Sequence, residues 1–305
     1  MENVKFKIVG KMILFLVCHT IASQNDKIKA QNEMGESYFS AEINFISDAV
    51  FMGRKDSIAA PYLYPSIEYH HKSGFYTEGS FSYLTKENES RIDLVLISLG
   101  FDFTINKLFG DISVTKYFFN EESYNVISEV EADITASLIY DLDVINVALT
   151  ASTYFNNNSG SDFFLSPNLS HDFITANHKF QFSPTVSIGF GSQNFYQAYY
   201  INNSLGSGNG SSSSGNGSSS GGNGSSSENP ANVNTTISFQ ENEEFNLMAI
   251  EFSLPMWYTH NSFTFLFLPI YVIPQSEAQI LIDDILIEEQ QKNTFYWAIG
   301  LNYTF

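Results

Sequence analysis

Seven acidic residues recur on the polar faces of segments in which apolar and polar residues alternate. They are Glu42, Glu68, Glu78, Asp111, Glu131, Asp133 and Glu251. Few basic residues accompany them on those faces. Carboxylates that line an enclosed interior bias which ions pass, so these residues predict a narrow channel for cations or neutral solutes. The alternative is an interior that is simply packed with polar side chains and conducts little.

Two short motifs contain residue types that perform nucleophilic catalysis. His260 and Ser262 are two positions apart, which places both side chains on one face of a strand and would let the histidine activate the serine. These residues fall in a predicted tight turn, which argues against that role. Ser170, His171 and Asp172 have the letters of a triad, but adjacent strand residues point to opposite faces. No catalytic residue is therefore predicted.

Potential metal ligands are scattered. His70 and His71 are adjacent and diverge across a strand, while Asp283-Asp284 and Glu288-Glu289 could bind Ca²⁺ loosely in a long loop. A solvated acidic loop is the simpler interpretation. The single cysteine, Cys18, lies in the N-terminal segment. The sequence predicts no metal site and no cofactor.

These side chains would be positioned by β-strands, because the chain alternates with a period of two over many segments. The last segment is the clearest. One of its faces carries Phe295, Trp297, Ile299, Leu301, Tyr303 and Phe305. Soluble sandwiches also alternate, but the polar faces here are poor in Lys and Arg, and the segments often run to about nine to eleven residues, the length that crosses a bilayer.

Short and long connections follow each other strictly along the chain. Short links are expected at 72–74, 105–107, 141–143, 175–177 and 259–261, and longer ones near 47–61, 85–90, 120–125, 156–161, 193–244 and 274–294. This pattern predicts an all-β fold, a transmembrane antiparallel up-and-down β-barrel of about twelve strands, with periplasmic turns and extracellular loops. Five prolines lie inside strand candidates, and we interpret them as bulges or bends: Pro65, Pro167, Pro184, Pro255 and Pro269.

The N-terminus has the features of a secretory signal peptide. Lys5, Lys7 and Lys11 precede a short apolar run at 12–17. The small residues Ala22 and Ser23 follow it and predict cleavage after Ser23. A membrane anchor and a lipoprotein signal at Cys18 are less favoured alternatives. Removal of residues 1–23 takes away three Lys and one Glu, so the net charge falls from −19 to −21. Such acidity argues against nucleic acid as a partner.

Residues 24–305 are predicted to form the barrel, with one long extracellular loop at about 194–244. Residues 204–227 are almost only Gly, Ser and Asn, a composition typical of flexible loops. An interdomain linker is the alternative, but the remaining C-terminal part offers only about three strands and no separate core.

In the first predicted hairpin, Ser47–Arg54 leads to Pro61 and then to the turn Tyr69-His70-His71-Lys72-Ser73-Gly74-Phe75-Tyr76. This arrangement resembles the first hairpin of TorF-like porins of Gram-negative bacteria. In this chain Gly53 precedes Arg54, and Ile58-Ala59-Ala60 replaces the polar residues typical of that loop. The resemblance implies a small barrel with a pore and identifies no substrate. The final strand ending in Phe305 also resembles the signal that the barrel insertion machinery recognises.

Three functions remain open at this stage. The favoured one is a porin-like passive channel for small solutes in the outer membrane, in contact with membrane lipid. The second is a structural or surface-interaction barrel that does not conduct. The third and least favoured is a lipid-modifying enzyme, because the spacing of His260 and Ser262 resembles outer-membrane lipid hydrolases but Phe263-Thr264 follow in place of their Asn-Gly.

Overall fold

The computed structural model describes residues 36–56, 59–157, 160–199, 237–239, 244–276, 278–282, 285–289 and 291–305. The predicted signal peptide and the Gly/Ser/Asn run lie outside these residues. No helix within the described ranges has the length and apolar character needed to cross a membrane.

Nearly all of the regular structure is β-strand. The strands are β1 (Tyr38–Ile46), β2 (Tyr62–His70), β3 (Phe75–Leu84), β4 (Arg91–Ile105), β5 (Leu108–Phe119), β6 (Val130–Asp141), β7 (Asn146–Asn156), β8 (Asp162–Ser170), β9 (Phe173–Ile174), β10 (Phe180–Phe182), β11 (Thr185–Gly191), β12 (Ile237–Phe239), β13 (Asn246–Ser253), β14 (Met256–His260), β15 (Phe263–Pro274), β16 (Ala278–Ile282), β17 (Ile285–Glu289) and β18 (Thr294–Thr304).

The principal sheet closes on itself. Strands β1 to β8 pair antiparallel with their sequence neighbours, β1 also pairs with β18, and the pairing of β13 with β15 completes the ring. Three barrel strands are each divided in two, as β8 with β9, β10 with β11, and β13 with β14, so the barrel has twelve strands. The predicted fold class is confirmed. Strands β12, β16 and β17 form a separate small sheet.

The prolines divide into two groups. Pro184 and Pro255 lie in the breaks between β10 and β11 and between β13 and β14, as expected for a residue without an N–H donor. Pro65, Pro167 and Pro269 instead remain paired within β2, β8 and β15, opposite Ile43, Leu149 and Trp297.

Tight turns join the strands at one end of the barrel. Asn106, Asp143 and Asn261 adopt left-handed backbone conformations there, with φ of 54°, 68° and 55°. Asn and Asp tolerate this conformation better than other non-glycine residues. Gly74 has φ of 96°, and an added Cβ would lie 2.2 Å from the carbonyl oxygen of Asp102, so this turn requires glycine. The predicted alternation of short turns and long loops is present throughout the described strands.

The outer face of the barrel is apolar and bordered by aromatic residues at both ends. Exposed Phe side chains near the turns include Phe39, Phe75, Phe173, Phe263 and Phe305, and those near the long loops include Phe118, Phe155, Phe163, Phe245 and Phe295. On β18, Phe295 and Phe305 are ten residues apart. At about 3.3 Å per residue and a tilt of about 40°, this separation spans about 25 Å, the height of the apolar band of outer-membrane barrels. The barrel therefore spans the outer membrane.

Candidate functional site

The interior of the barrel contains an acidic polar wall beside a hydrophobic core. Six of the predicted inward-facing residues lie on the inner wall, each at most 5% exposed: Glu42 on β1, Glu68 on β2, Glu78 on β3, Asp111 on β5, Asp133 on β6 and Glu251 on β13. Around them the inner faces of the strands carry Ser, Thr and Asn, and a hydrophobic core fills the extracellular part of the interior, where Leu94, Leu96, Tyr117, Tyr154 and Tyr296 are buried. The geometry thus gathers carboxylates that are up to 209 positions apart in the sequence.

Glu131 is on the opposite side of the wall, so its predicted inward orientation is wrong. Glu131 Oε2 accepts a hydrogen bond from Lys116 Nζ at 3.2 Å, and the two side chains form an ion pair. About half of the Glu131 side chain is exposed. The register between β6 and β7 shifts between Val130 and Ala132. This bulge inserts one residue into the alternation, so Val130 points inward and Glu131 points outward.

One row of polar residues runs across five strands of the inner wall. Glu68 lies opposite Glu78, Glu78 opposite Ser98, Ser98 opposite Thr115, and Thr115 opposite Asp133. The hydroxyl oxygens of Ser98 and Thr115 are 3.0 Å apart. Because paired residues of neighbouring strands share a face, the row forms a continuous polar band with carboxylates at both ends.

Neutral donors orient several of these carboxylates. The amide Nδ2 of Asn44 donates to Glu42 Oε1 at 2.5 Å, and the hydroxyl of Tyr117 donates to Asp133 Oδ1 at 2.5 Å. Hydrogen bonds from amides and hydroxyls hold a carboxylate in place without cancelling its charge. The wall therefore holds these two carboxyl groups in fixed orientations.

A stack of rings lies at the turn end of the same wall. The ring of His70 is parallel to that of Tyr38, with centroids 5.0 Å apart, and to that of Tyr76, at 6.2 Å. His70 Nε2 is 3.1 Å from Asp102 Oδ2, while the hydroxyl of Tyr76 donates to Asp111 Oδ2 at 2.9 Å. Asp102 was not among the predicted inward-facing residues, although it lies four residues from Ser98 on β4 and therefore shares its face. The divergence of His70 from His71 is as expected.

The loop between β1 and β2 folds into the barrel. We call its described residues, 47–56 and 59–61, the inner loop. Val50, Phe51, Met52 and Arg54 are buried. Phe51 N donates to Arg54 O, and Arg54 N donates to Phe51 O, both at 2.8 Å, which forms a tight turn. An apolar run in a supposed extracellular loop was the only sequence signal for this arrangement.

Phe51 anchors the inner loop on the far wall. Its ring contacts Tyr154, Phe164 and Phe195, with centroid distances of 5.5, 5.1 and 5.2 Å. The Sδ atom of Met52 lies 2.7 Å from the position that a Cβ on Gly189 would occupy. The inner loop thus crosses from β1 and β2 to β7, β8 and β11 near their extracellular ends.

Two further segments hold the inner loop. Arg54 Nη2 donates to Gln193 Oε1 and to the carbonyl oxygen of Ser276, the latter at 2.7 Å. A short helix at 194–199 begins where Asp162 accepts hydrogen bonds from the backbone N–H groups of Asn194 and Phe195, at 2.8 and 2.7 Å. An aspartate at a helix start satisfies its unpaired donors. The extracellular end of the interior is therefore partly filled by ordered chain.

The catalytic candidates do not assemble. His260 and Ser262 lie at a turn outside the interior. Asp172 accepts hydrogen bonds from Ser183 and Asn146, at 2.5 and 2.9 Å, and His171 Nδ1 bonds the carbonyl of Val144, so the expected divergence holds.

No metal-binding group of three or more His, Cys, Asp or Glu residues occurs in the described ranges. Asp283 and Asp284 lie outside those ranges.

The residues of the predicted insertion signal lie along one face of β18. Phe295, Ile299 and Phe305 are exposed on the outer surface, and Trp297, Leu301 and Tyr303 are half-buried on the same face. Their use as a signal stays a prediction.

Comparisons with known proteins concern the fold alone. The sequence matches no protein-family model and no curated protein. An outer membrane channel from Pseudomonas putida F1 has a TM-score of 0.48 and 8% identity, over 90% of this chain and 97% of that one. The KdgM porin has 0.45 and 8%, over 87% and 99%. LpxR from Salmonella typhimurium has 0.42 and 9%, over 87% and 99%.

The geometry of the chain itself shows which class of protein it is. An apolar outer face with two aromatic borders, a ring of twelve paired strands and a polar interior are together the architecture of an outer-membrane β-barrel. The chain is a twelve-stranded barrel of the outer membrane, with an acidic inner wall and an inner loop at its extracellular end.

Proposed function

We propose that this protein is a porin-like passive channel that favours small cationic and neutral solutes. The supporting observation is the inner wall, where six buried carboxylates face a polar interior. Arg54, which is buried in the inner loop, and Arg91, which pairs with Asp93, lie at the extracellular end of that interior. A channel lined by excess negative charge attracts cations and repels anions.

Ion selectivity in planar bilayers tests this proposal. The wild-type protein should show discrete single-channel steps and a reversal potential that favours K⁺ over Cl⁻ in a KCl gradient. Replacing Glu68 and Glu78 by Gln should move that potential toward zero. Glu131→Gln is the control, because it removes one negative charge from the outer face and should leave selectivity unchanged.

A non-conducting structural barrel is the second candidate, and the inner loop favours it. Phe51 and Arg54 join this loop to the far wall and to two extracellular segments, which narrows the path at that end. If the wild type and a variant with a shortened inner loop both insert stably and remain silent, the channel proposal fails and the structural role stands.

We further propose membership of the TorF-like porins and recognition of β18 by the barrel insertion machinery. The turn from Tyr69 to Tyr76 supports the first proposal, and the aromatic outer face of β18 supports the second. No catalytic role is assigned, because His260 and Ser262 lie outside the interior. An absence of lipid hydrolysis by the purified wild type would agree with this; hydrolysis abolished by His260→Ala would overturn it.

A further inference from the structure

A groove interrupts the apolar outer face of strands β2 to β5. Its volume is about 520 Å³, and we call it the outer groove. Its lining includes Thr77, Leu99, Val114 and the rings of Phe75 and Phe101. It is separate from the interior and plays no part in the proposed conduction.

Strand register explains the shape of the outer groove. Thr77 lies opposite Leu99, and Leu99 lies opposite Val114, so side chains of small or moderate size form its floor. Below this row, the rings of Phe75 and Phe101 form a ridge, with centroids 4.9 Å apart. Thr77, Leu99 and Val114 are all exposed, so a molecule lying along this row would contact each of them.

At its periplasmic end the groove is lined by His71, the first residue of a polar turn. His71 Nδ1 is 2.7 Å from Ser73 Oγ, and the backbone N–H of Lys72 donates to Ser37 Oγ at 3.1 Å. These bonds order the turn and leave the Lys72 side chain exposed. Lys72 and Ser73 therefore place a cation and a hydroxyl one and two residues beyond His71, which lines the groove.

We propose that the outer groove binds an anionic phospholipid of the inner leaflet. One acyl chain lies along Thr77, Leu99 and Val114, and the headgroup phosphate contacts the turn at Lys72 and Ser73. The groove lies within the apolar band, where a polar group would have no water to solvate it. Its occupant must therefore be a hydrocarbon chain. The exposed Lys72 in the adjoining turn selects a phosphate at headgroup depth, since basic residues near the membrane surface attract anionic lipids.

This binding is distinct from general lipid contact around the barrel. A chain on the row of Thr77, Leu99 and Val114 touches the wall beneath it and the ridge of Phe75 and Phe101 beside it, whereas a convex barrel wall touches a lipid on one side only. An acyl chain is in an equally apolar environment inside and outside the groove. A preference of the lipid for the groove must therefore come from packing and from the headgroup. Two changes should therefore weaken binding independently: filling the groove and removing the cation.

Native mass spectrometry of the detergent-solubilised barrel measures the retained lipid. With dioleoylphosphatidylglycerol added, the wild type should retain one molecule per barrel and should retain far less dioleoylphosphatidylcholine. Val114→Trp should abolish retention by filling the groove, while Val147→Trp, a similarly exposed valine on β7, should not. Lys72→Ala should lower retention several-fold, and Lys179→Ala, at the turn after β9, should leave it unchanged.

Two outcomes would overturn the proposal. Equal retention of phosphatidylglycerol by all four variants would mean that the lipid is a general shell around the barrel. A change in oligomeric state with Val114→Trp, without lipid retention in the wild type, would mean that the groove is an interface between barrels. Heat-modifiable gel mobility confirms that each variant is folded, and Lys72→Ala keeps the test decisive if the tryptophan variant does not fold.

Discussion

Replacing Phe51 by Ala should release the inner loop from the far wall. Phe51 is 3% exposed and contacts three aromatic rings at 5.1 to 5.5 Å. Truncation of a buried Phe costs about 3–5 kcal/mol. If the loop exchanges between docked and released positions, a loss of about 3 kcal/mol raises the released fraction roughly 100-fold, because about 1.4 kcal/mol corresponds to a factor of ten.

Thiol labelling from outside the cell measures this release. The only cysteine, Cys18, lies in the predicted signal peptide, so a cysteine introduced at Ser152 on the inner face of β7 would be the single thiol of the mature protein. A bulky impermeant maleimide should react with it about 100-fold faster in the Phe51→Ala background. Phe155→Ala is the control, because Phe155 lies on the outer face of the same strand.

An unchanged labelling rate in a correctly folded Phe51→Ala barrel would refute this reasoning. It would mean that Phe51 does not hold the inner loop in place, and that the remaining contacts, such as those of Arg54 with Ser276 and Gln193, are sufficient.

Three further outcomes follow from the geometry. The effect of Glu68→Gln with Glu78→Gln on the reversal potential should be larger at 0.01 M salt than at 1 M, because the screening length falls from about 30 Å to about 3 Å; equal effects would place these carboxylates outside the conducting path. Deletion of Phe305, which is 74% exposed, should reduce the amount of barrel assembled in cells while refolding of the purified protein in detergent stays normal; an equal loss in both would indicate a packing role only. Gly74→Ala should lower the free energy of unfolding by at least about 1–2 kcal/mol in urea titrations, because of its left-handed backbone and the nearby Asp102 carbonyl. Gly79→Ala, where an added Cβ meets nothing within 4 Å, should be close to neutral.

The amino-acid sequence by itself determined the class of fold, the alternation of turns and loops, and the inward position of six carboxylates. These properties are local. A strand places successive side chains on opposite faces. The odd or even position of a residue along its strand is therefore enough to assign it to the inner or the outer wall. Tight turns such as that at Asn106 are also specified by the few residues that form them.

Only the tertiary structure decided the orientation of Glu131, the site of the inner loop and the existence of the outer groove. A bulge at Val130 shifts the alternation of inward and outward side chains by one residue. Whether a strand bulges depends on its partner strand. Phe51 meets Tyr154 and Phe164 across more than 100 positions of sequence. Contacts of that range arise only when the ring of strands closes, which no local pattern of residue types encodes.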